Sequence, residues 1–299
     1  MIADASELAA IQIQYQQRIN QYLSKAIDQL PEQGTALKAA MGHGLLLGGK
    51  RARPFLVYAT AHMLKVPLAK VDAAAAAIEC IHAYSLIHDD LPAMDDDELR
   101  RGQPTCHVAY DEATAILAGD ALQTMAFELL SNADSDLHAN IQIQLIRSLS
   151  RASGYQGMCG GQGMDLAATD QHVALQRLEQ IHAAKTGALL RCAVEMAAIV
   201  AELPEQETDC LLTFARDIGL AFQVQDDILD VTSDTETLGK PQGSDQAANK
   251  STYPALLGLS GARQKADSLL QSALHALQTL PYNSAQLEAF ARYIVSRDH

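Results

Sequence analysis

Apolar side chains recur every three to four positions along most of this chain, the spacing of helices rather than strands. Over residues 73–90 they surround almost the whole helix, through Ile78, Ile81, Tyr84, Leu86 and Ile87. The same holds over 112–131 (Ile116, Leu117, Leu122, Met125, Phe127, Leu130) and over 208–229 (Leu211, Phe214, Ile218, Phe222, Val224). A helix that is apolar all round belongs in a core, so these three segments are predicted as central helices. The segments 6–29, 141–152, 173–201 and 262–279 are one-sided and are expected to pack outside them. Three breaks are short: 42–53, rich in glycine and base; 100–105, with Gly-Gln-Pro; and 153–163, with five glycines. Gly163, directly after Gln162, is expected to delay or kink the helix there. The longest irregular stretch, 232–254, is polar and holds Gly239, Pro241 and Gly243. A loop of about 20 residues in a compact domain is usually functional. No Pro/Ser linker and no long-period repeat divides the chain, so one all-α domain over residues 1–299 is expected.

Composition sharpens this. The chain is 48% hydrophobic and has no Trp, and its abundant Ala, Leu, Gln and Glu favour helices. A net charge of −14 removes nucleic acid as a partner held by long-range attraction. An anionic substrate therefore needs a locally basic pocket. The N-terminal residues show no basic region followed by an apolar core, so no secretory signal is read. No uncharged apolar run reaches the roughly 18 residues of a membrane span; Arg191 and Glu195 interrupt the nearest approach. Five cysteines without paired spacing fit free thiols in a reducing cytoplasm, not a disulfide framework or a zinc site.

The chemistry concentrates in two acidic clusters, Asp89-Asp90-Leu91-Pro92-Ala93-Met94-Asp95 and Asp226-Asp227-Ile228-Leu229-Asp230, each closing an apolar helical run. Asp226 and Asp230 are four apart and share a helical face with repelling charges, an arrangement a cation relieves. Gln223 continues that face. Asp89 and Asp95 stand about 120° apart on a straight helix, so they share a face only if Pro92 loosens it. A solvated helix end is the bland alternative for either cluster, and the spacing does not fit a twelve-residue Ca²⁺ loop.

Gly48-Gly49-Lys50-Arg51-Ala52-Arg53 sets three cations beside two glycines, suited to close approach and charge-assisted contact with a diphosphate. Arg100-Arg101 follows the first acid cluster, and Lys185-Thr186, Lys240 and Lys250 add further candidates. Lone lysines are more often solvated. His82 and His88 precede the first cluster; a lone helical His is usually structural, but His82 lies nearly on the face of Asp89. Asp120 reads as a buried, paired structural acid. The glycines of 157–163 form no P-loop, because no Gly-Lys-Ser/Thr follows.

These residues carry a resemblance. The segments GGKRARP at 48–54, IHAYSLIHDDLPAMDDDELRRG at 81–102, AGDAL at 118–122, GGQGMDL at 160–166, KTG at 185–187, FQVQDDILD at 222–230 and the lysine-bearing 239–254 stand in order. Across roughly residues 40 to 260 the chain resembles the short-chain trans-isoprenyl diphosphate synthases, above all the bacterial farnesyl diphosphate synthases. The resemblance implies a single all-helical bundle around a deep central cavity, a cytoplasmic homodimer. It implies that Asp89, Asp95 and Asp226, supported by Asp90, Asp227 and Asp230, bind about three Mg²⁺ that grip an allylic diphosphate. Arg100, Lys185 and Lys240 would contact that diphosphate, Thr186 and Gln223 would line the cleft, and Lys250 would belong to a closing loop. Lys50, Arg53, His82 and Arg101 would hold isopentenyl diphosphate.

The implied reaction ionises the allylic diphosphate. The isopentenyl double bond then attacks the carbocation, and a proton leaves to the departing diphosphate. A dry apolar cavity protects the cation. In the family a bulky residue at position 84 or 85 floors the product pocket, so Tyr84, with small Ser85 beside it, implies two condensations and a farnesyl product. A geranylgeranyl-forming synthase is the alternative; a terpene cyclase or a non-catalytic subunit fits less well, because both acid motifs and the 48–54 cluster are intact. Relatives often end in a basic tail, whereas this chain ends Ser296-Arg297-Asp298-His299, which puts isopentenyl binding through the tail in doubt.

Overall fold

The computed structural model describes residues 5–132, 136–233 and 251–297. It is helical almost throughout. The only strands among the described residues are β1 (Leu99–Arg100) and β2 (Gln103–Pro104), an antiparallel pair. Two compact units form: residues 10–146, and residues 147–297 with 5–9.

The first unit contains most of α1 (Ala5–Asp28), then α2 (Leu37–Leu46), α3 (Ala52–Met63), α4 (Asp72–Asp89), α5 (Cys106–Ala109), α6 (Glu112–Leu130) and the start of α7 (Ala139–Ser153). Its centre is α4, packed by α6, α3 and α2. The run of five alanines at 73–77 makes α4 a strong helix former and lets neighbours come close. Asp72 in its first turn complements the helix dipole. That carboxylate also accepts from Arg18 at 2.7 and 2.6 Å and from the Tyr58 hydroxyl at 2.7 Å, tying α1 and α3 to the start of α4. The break expected over 42–53 is shorter than predicted. Gly42 and Gly44 lie inside α2, where a Cβ on Gly44 would stand 2.7 Å from the Ile87 Cγ1. At Gly44 the helix accepts a poor helix former because α4 presses on it there.

The second unit contains the rest of α7, α8 (Met158–Ala168), α9 (Leu175–His182), a π-helical turn (Ala183–Gly187), α10 (Ala188–Val200), α11 (Glu205–Thr232), α12 (Tyr253–Gln278) and α13 (Ala285–Ser296). Its axis is α11, packed by α12, α10 and α13. Two expectations are corrected. Residues 173–201 are not one outer helix: α9 is one-sided, but α10 buries Leu189, Leu190, Val194 and Met196 and belongs to the core. Nor does Gly163 delay its helix, since α8 starts at Met158 and runs through it. The predicted inner helices over 73–90, 112–131 and 208–229 are α4, α6 and α11. On α6, however, Ile116 and Leu117 remain exposed, as does Asp120, which was expected to be buried.

Candidate active site

In the first unit, α4 ends at Asp89, ahead of Pro92, because the residue before a proline disfavours helical backbone. The helix does not loosen around Pro92 as the spacing suggested; it stops, and a turn follows. The Met94 amide donates to the Leu91 carbonyl at 2.8 Å, and the Asp95 amide returns to the Asp89 carbonyl at 2.9 Å. A backbone turn thus brings together two acids that a straight helix would hold apart. Asp89 is half-buried and Asp95 exposed, whereas Asp90 is buried. Both Asp90 oxygens accept from Arg100, at 2.8, 2.8 and 2.5 Å. Burial pushes the Asp90 carboxyl up, and Arg100 pulls it back.

Arg100 and Arg101 diverge because Arg100 ends β1 while Arg101 enters the tight hairpin turn. Arg101 (φ 54°) and Gly102 (φ 74°) are its two central residues, both left-handed, matching the twist that two-residue hairpins require. Arg100 reaches back to Asp90, while Arg101 donates to the Gly48 carbonyl. Its guanidinium lies flat over Gly49, where a Cβ would stand 2.6 Å from the Arg101 Cζ. Gly49 (φ 116°) is glycine for both reasons.

The basic loop divides its cations. Arg51 is buried in a pair with Glu79 at 2.6 Å, and donates further to Asn20 and the Leu45 carbonyl. Arg53 is half-buried, and its Nε finds no hydrogen-bond partner among the described residues. Lys50 is exposed. His82 faces this group, and its pKa is held well below the ordinary value by burial and by the fields of Arg53, Arg101, Arg51 and Arg100. A neutral His82 offers a hydrogen bond without adding charge. Arg53, Arg101 and Lys50 therefore make a locally positive region in an acidic protein, the electrostatics an anion needs. His88 takes the structural role: its Nε2 meets the Ile116 carbonyl at 3.0 Å, against Gly119. Tyr84 is buried with its ring edge-on to His88 at 5.7 Å, and the Ser85 hydroxyl donates to the His82 carbonyl.

In the second unit, the π-helical turn displays Lys185 and Thr186. Such one-turn bulges need outside support and recur at functional sites. Support comes from two close backbones: Gly219 of α11 packs on Gly187, and Gly161 of α8 lies where a Cβ would stand 2.5 Å from the Lys185 Cα. The glycine run that matched no nucleotide motif thus lets α8 touch the lysine's backbone. Lys185 Nζ donates to Asp165 at 2.6 Å. Asp165 went unselected in the sequence; its signal was its place one helical turn after Gly161.

These side chains line a cleft of about 220 Å³ with His182, Gln223, Asp227 and Thr252. Burial lowers the His182 pKa to about 4, and its Nδ1 has no hydrogen-bond partner among the described residues. The three acids of the second motif differ. Asp226 is 41% exposed and pairs with Arg297, a contact the sequence did not disclose. Asp227 is buried and accepts from the Tyr253 amide at 2.9 Å, anchoring the start of α12. Asp230 is buried. Lys240 and Lys250 lie outside the described residues.

An all-helical chain with paired acid motifs, a basic loop and a lysine-bearing π turn has the make-up of a prenyltransferase. Residues 35–288 match the polyprenyl synthetase family, and the chain belongs to it. It is 57% identical over 284 residues to the farnesyl diphosphate synthase of Escherichia coli, covering 93% of this chain and 95% of that one. It is similar to the crystal structure of a putative farnesyl-diphosphate synthase from Marinomonas (TM-score 0.83, 44% identity, 97% of this chain and 99% of the other). A Helicobacter pylori geranyltransferase, solved with magnesium and isoprenyl diphosphate, is also similar (TM-score 0.83, 35% identity, 98% of each chain).

Proposed function

We propose that this chain is a Mg²⁺-dependent farnesyl diphosphate synthase that condenses isopentenyl diphosphate with dimethylallyl and then geranyl diphosphate. The observation that carries this is the 57% identity to the Escherichia coli enzyme along almost the whole chain. The family match runs through both compact units, which supports one functional domain over residues 1–299.

The donor set fits the metal. No group of three or more His, Cys, Asp or Glu residues able to hold a metal ion occurs among the described residues. Mg²⁺ does not need one, since it is usually held by one or two carboxylates together with phosphate oxygens and water. Asp89, Asp95 and Asp226 are solvent-accessible carboxylates that suit this, with Asp90 in support and about three ions per site. Bound Mg²⁺ neutralises the diphosphate and makes it a better leaving group.

The protein's own residues do the remainder. Arg100 and Lys185 direct positive charge at the allylic diphosphate, each oriented by its acid, Asp90 or Asp165. Thr186 and Gln223 line that cleft, and the roles read from the sequence for Lys240 and Lys250 fall outside the described residues. Lys50, Arg53 and Arg101 hold the isopentenyl diphosphate, with His82 as a neutral hydrogen-bonding partner. Tyr84 closes the product pocket beyond Ser85. The proton lost in each condensation goes to the departing diphosphate, so no side chain is required as a nucleophile.

No helix among the described residues is long and apolar enough to cross a membrane. A cytoplasmic homodimer is the assembly we propose, with Ile116 and Leu117, large apolar side chains exposed on α6, covered by the second copy. The deciding experiment incubates purified protein with isopentenyl and dimethylallyl diphosphates and Mg²⁺, then identifies the prenyl alcohol after dephosphorylation. A fifteen-carbon alcohol is expected, and chelating the metal should stop its formation. A twenty-carbon main product would make the chain a geranylgeranyl diphosphate synthase, and no elongation at all would overturn the reading.

A further inference from the structure

Arg297 directly follows α13, outside any helix, yet it is only 7% exposed. Three anchors hold it, and all lie on one turn of α11. Its guanidinium carbon sits 4.1 Å above the ring of Phe222, and its Nη2 donates to the Phe222 carbonyl at 3.3 Å. Its own carbonyl accepts from the Gln225 side chain at 3.0 Å. Its Nη2 also donates to Asp226 Oδ1. Positions 222, 225 and 226 are three and four apart, so the helix presents them as one face. The cation thus reaches the most solvent-open acid of the motif, while Asp227 and Asp230 are buried.

We propose that Arg297 is a C-terminal latch on the second acid motif, its guanidinium competing with a divalent cation for the same carboxylate of Asp226. This rests on the reading of Asp226 as a metal ligand. A guanidinium stays charged at any working pH and has no acceptor to offer a metal. A cation approaching Asp226 Oδ1 meets both an occupied lone pair and a like charge. For the metal to take that oxygen, Arg297 must give up its pair with Asp226 and shift on Phe222. The latch therefore raises the metal concentration at which the motif fills, and binding of metal loosens the C-terminal segment.

The test titrates Mn²⁺, with inorganic pyrophosphate present, into the full-length protein and follows free Mn²⁺ by its electron paramagnetic resonance signal. Arg297→Gln should bind Mn²⁺ roughly three- to tenfold more tightly than the wild type, the scale of one charge-assisted pair at a part-exposed carboxylate. Phe222→Leu, which alters no charge, should shift affinity the same way by less, and it serves if the first variant does not fold. Unchanged or weaker binding in both variants would overturn the latch. Asp226→Asn separates the two ideas. If it loses Mn²⁺ while Arg297→Gln matches wild type, the metal site stands and the latch falls. If wild type takes up no Mn²⁺ with pyrophosphate, the metal reading of Asp226 fails and the latch with it.

Discussion

Arg51 and Glu79 form an ion pair at 2.6 Å in which both side chains are only 3% exposed. Arg51 holds a left-handed backbone (φ 49°) at the same point, so the pair fixes the turn that leads into α3. Its loop neighbours Lys50, exposed, and Arg53, half-buried, take no part in that pair. Three adjacent cations that read alike in sequence thus divide into one structural and two candidate binding residues.

Removing Glu79 leaves a buried guanidinium uncompensated, which typically costs about 3–5 kcal/mol. Glu79→Ala should therefore lower the urea midpoint strongly. Lys50→Ala should leave the midpoint nearly unchanged and raise the KM for isopentenyl diphosphate instead. Equal effects on stability would contradict this division.

Gly161→Ala puts a methyl group against the backbone of the Lys185 turn. The π turn must then shift, and overpacking of this kind costs roughly 1–3 kcal/mol. We expect kcat to fall at least tenfold while the far-ultraviolet circular dichroism stays helical. Retained kcat would mean that the position of Lys185 tolerates displacement.

Tyr84→Ala removes the ring that packs edge-on to His88 and that we propose as the floor of the product pocket. The main product should lengthen from fifteen to twenty carbons, read by chromatography of the dephosphorylated alcohols. An unchanged product would place the pocket floor on another residue.

His182 links stability to pH. Its folded pKa is lowered to about 4 by burial, against about 6.5 in the unfolded chain. Between those values the unfolded chain binds a proton that the folded one refuses. The contribution is therefore complete above pH 6.5 and declines as pH falls toward 4. At pH 5 the loss from this group alone is up to about 2 kcal/mol. His82 acts in the same direction. His182→Gln should consequently show a shallower loss of stability from pH 7 to pH 5, measured by urea unfolding. An identical slope would show that His182 protonates freely in the fold.

The inner helices α4 and α11 were legible in the sequence because a helix apolar all round advertises burial through composition alone, whereas α6 buries one side and leaves Ile116, Leu117 and Asp120 exposed. So were the acid motifs and the basic loop, since charge at the end of an apolar run needs a purpose wherever the chain goes. What tertiary structure alone decided is who meets whom. Glu79 answers Arg51 across 28 residues of sequence and Arg297 answers Asp226 across 71, distances over which no local periodicity carries information. Gly42, Gly44 and Gly163 read as breaks, yet they sit inside helices; Gly44 shows why, because a missing side chain can be a packing surface for a neighbour known only after folding. Residue type and spacing determined which elements form and what chemistry they carry. Long-range packing determined which charges are tied to partners in the fold and which remain open to a ligand, because ion pairing depends on proximity in space.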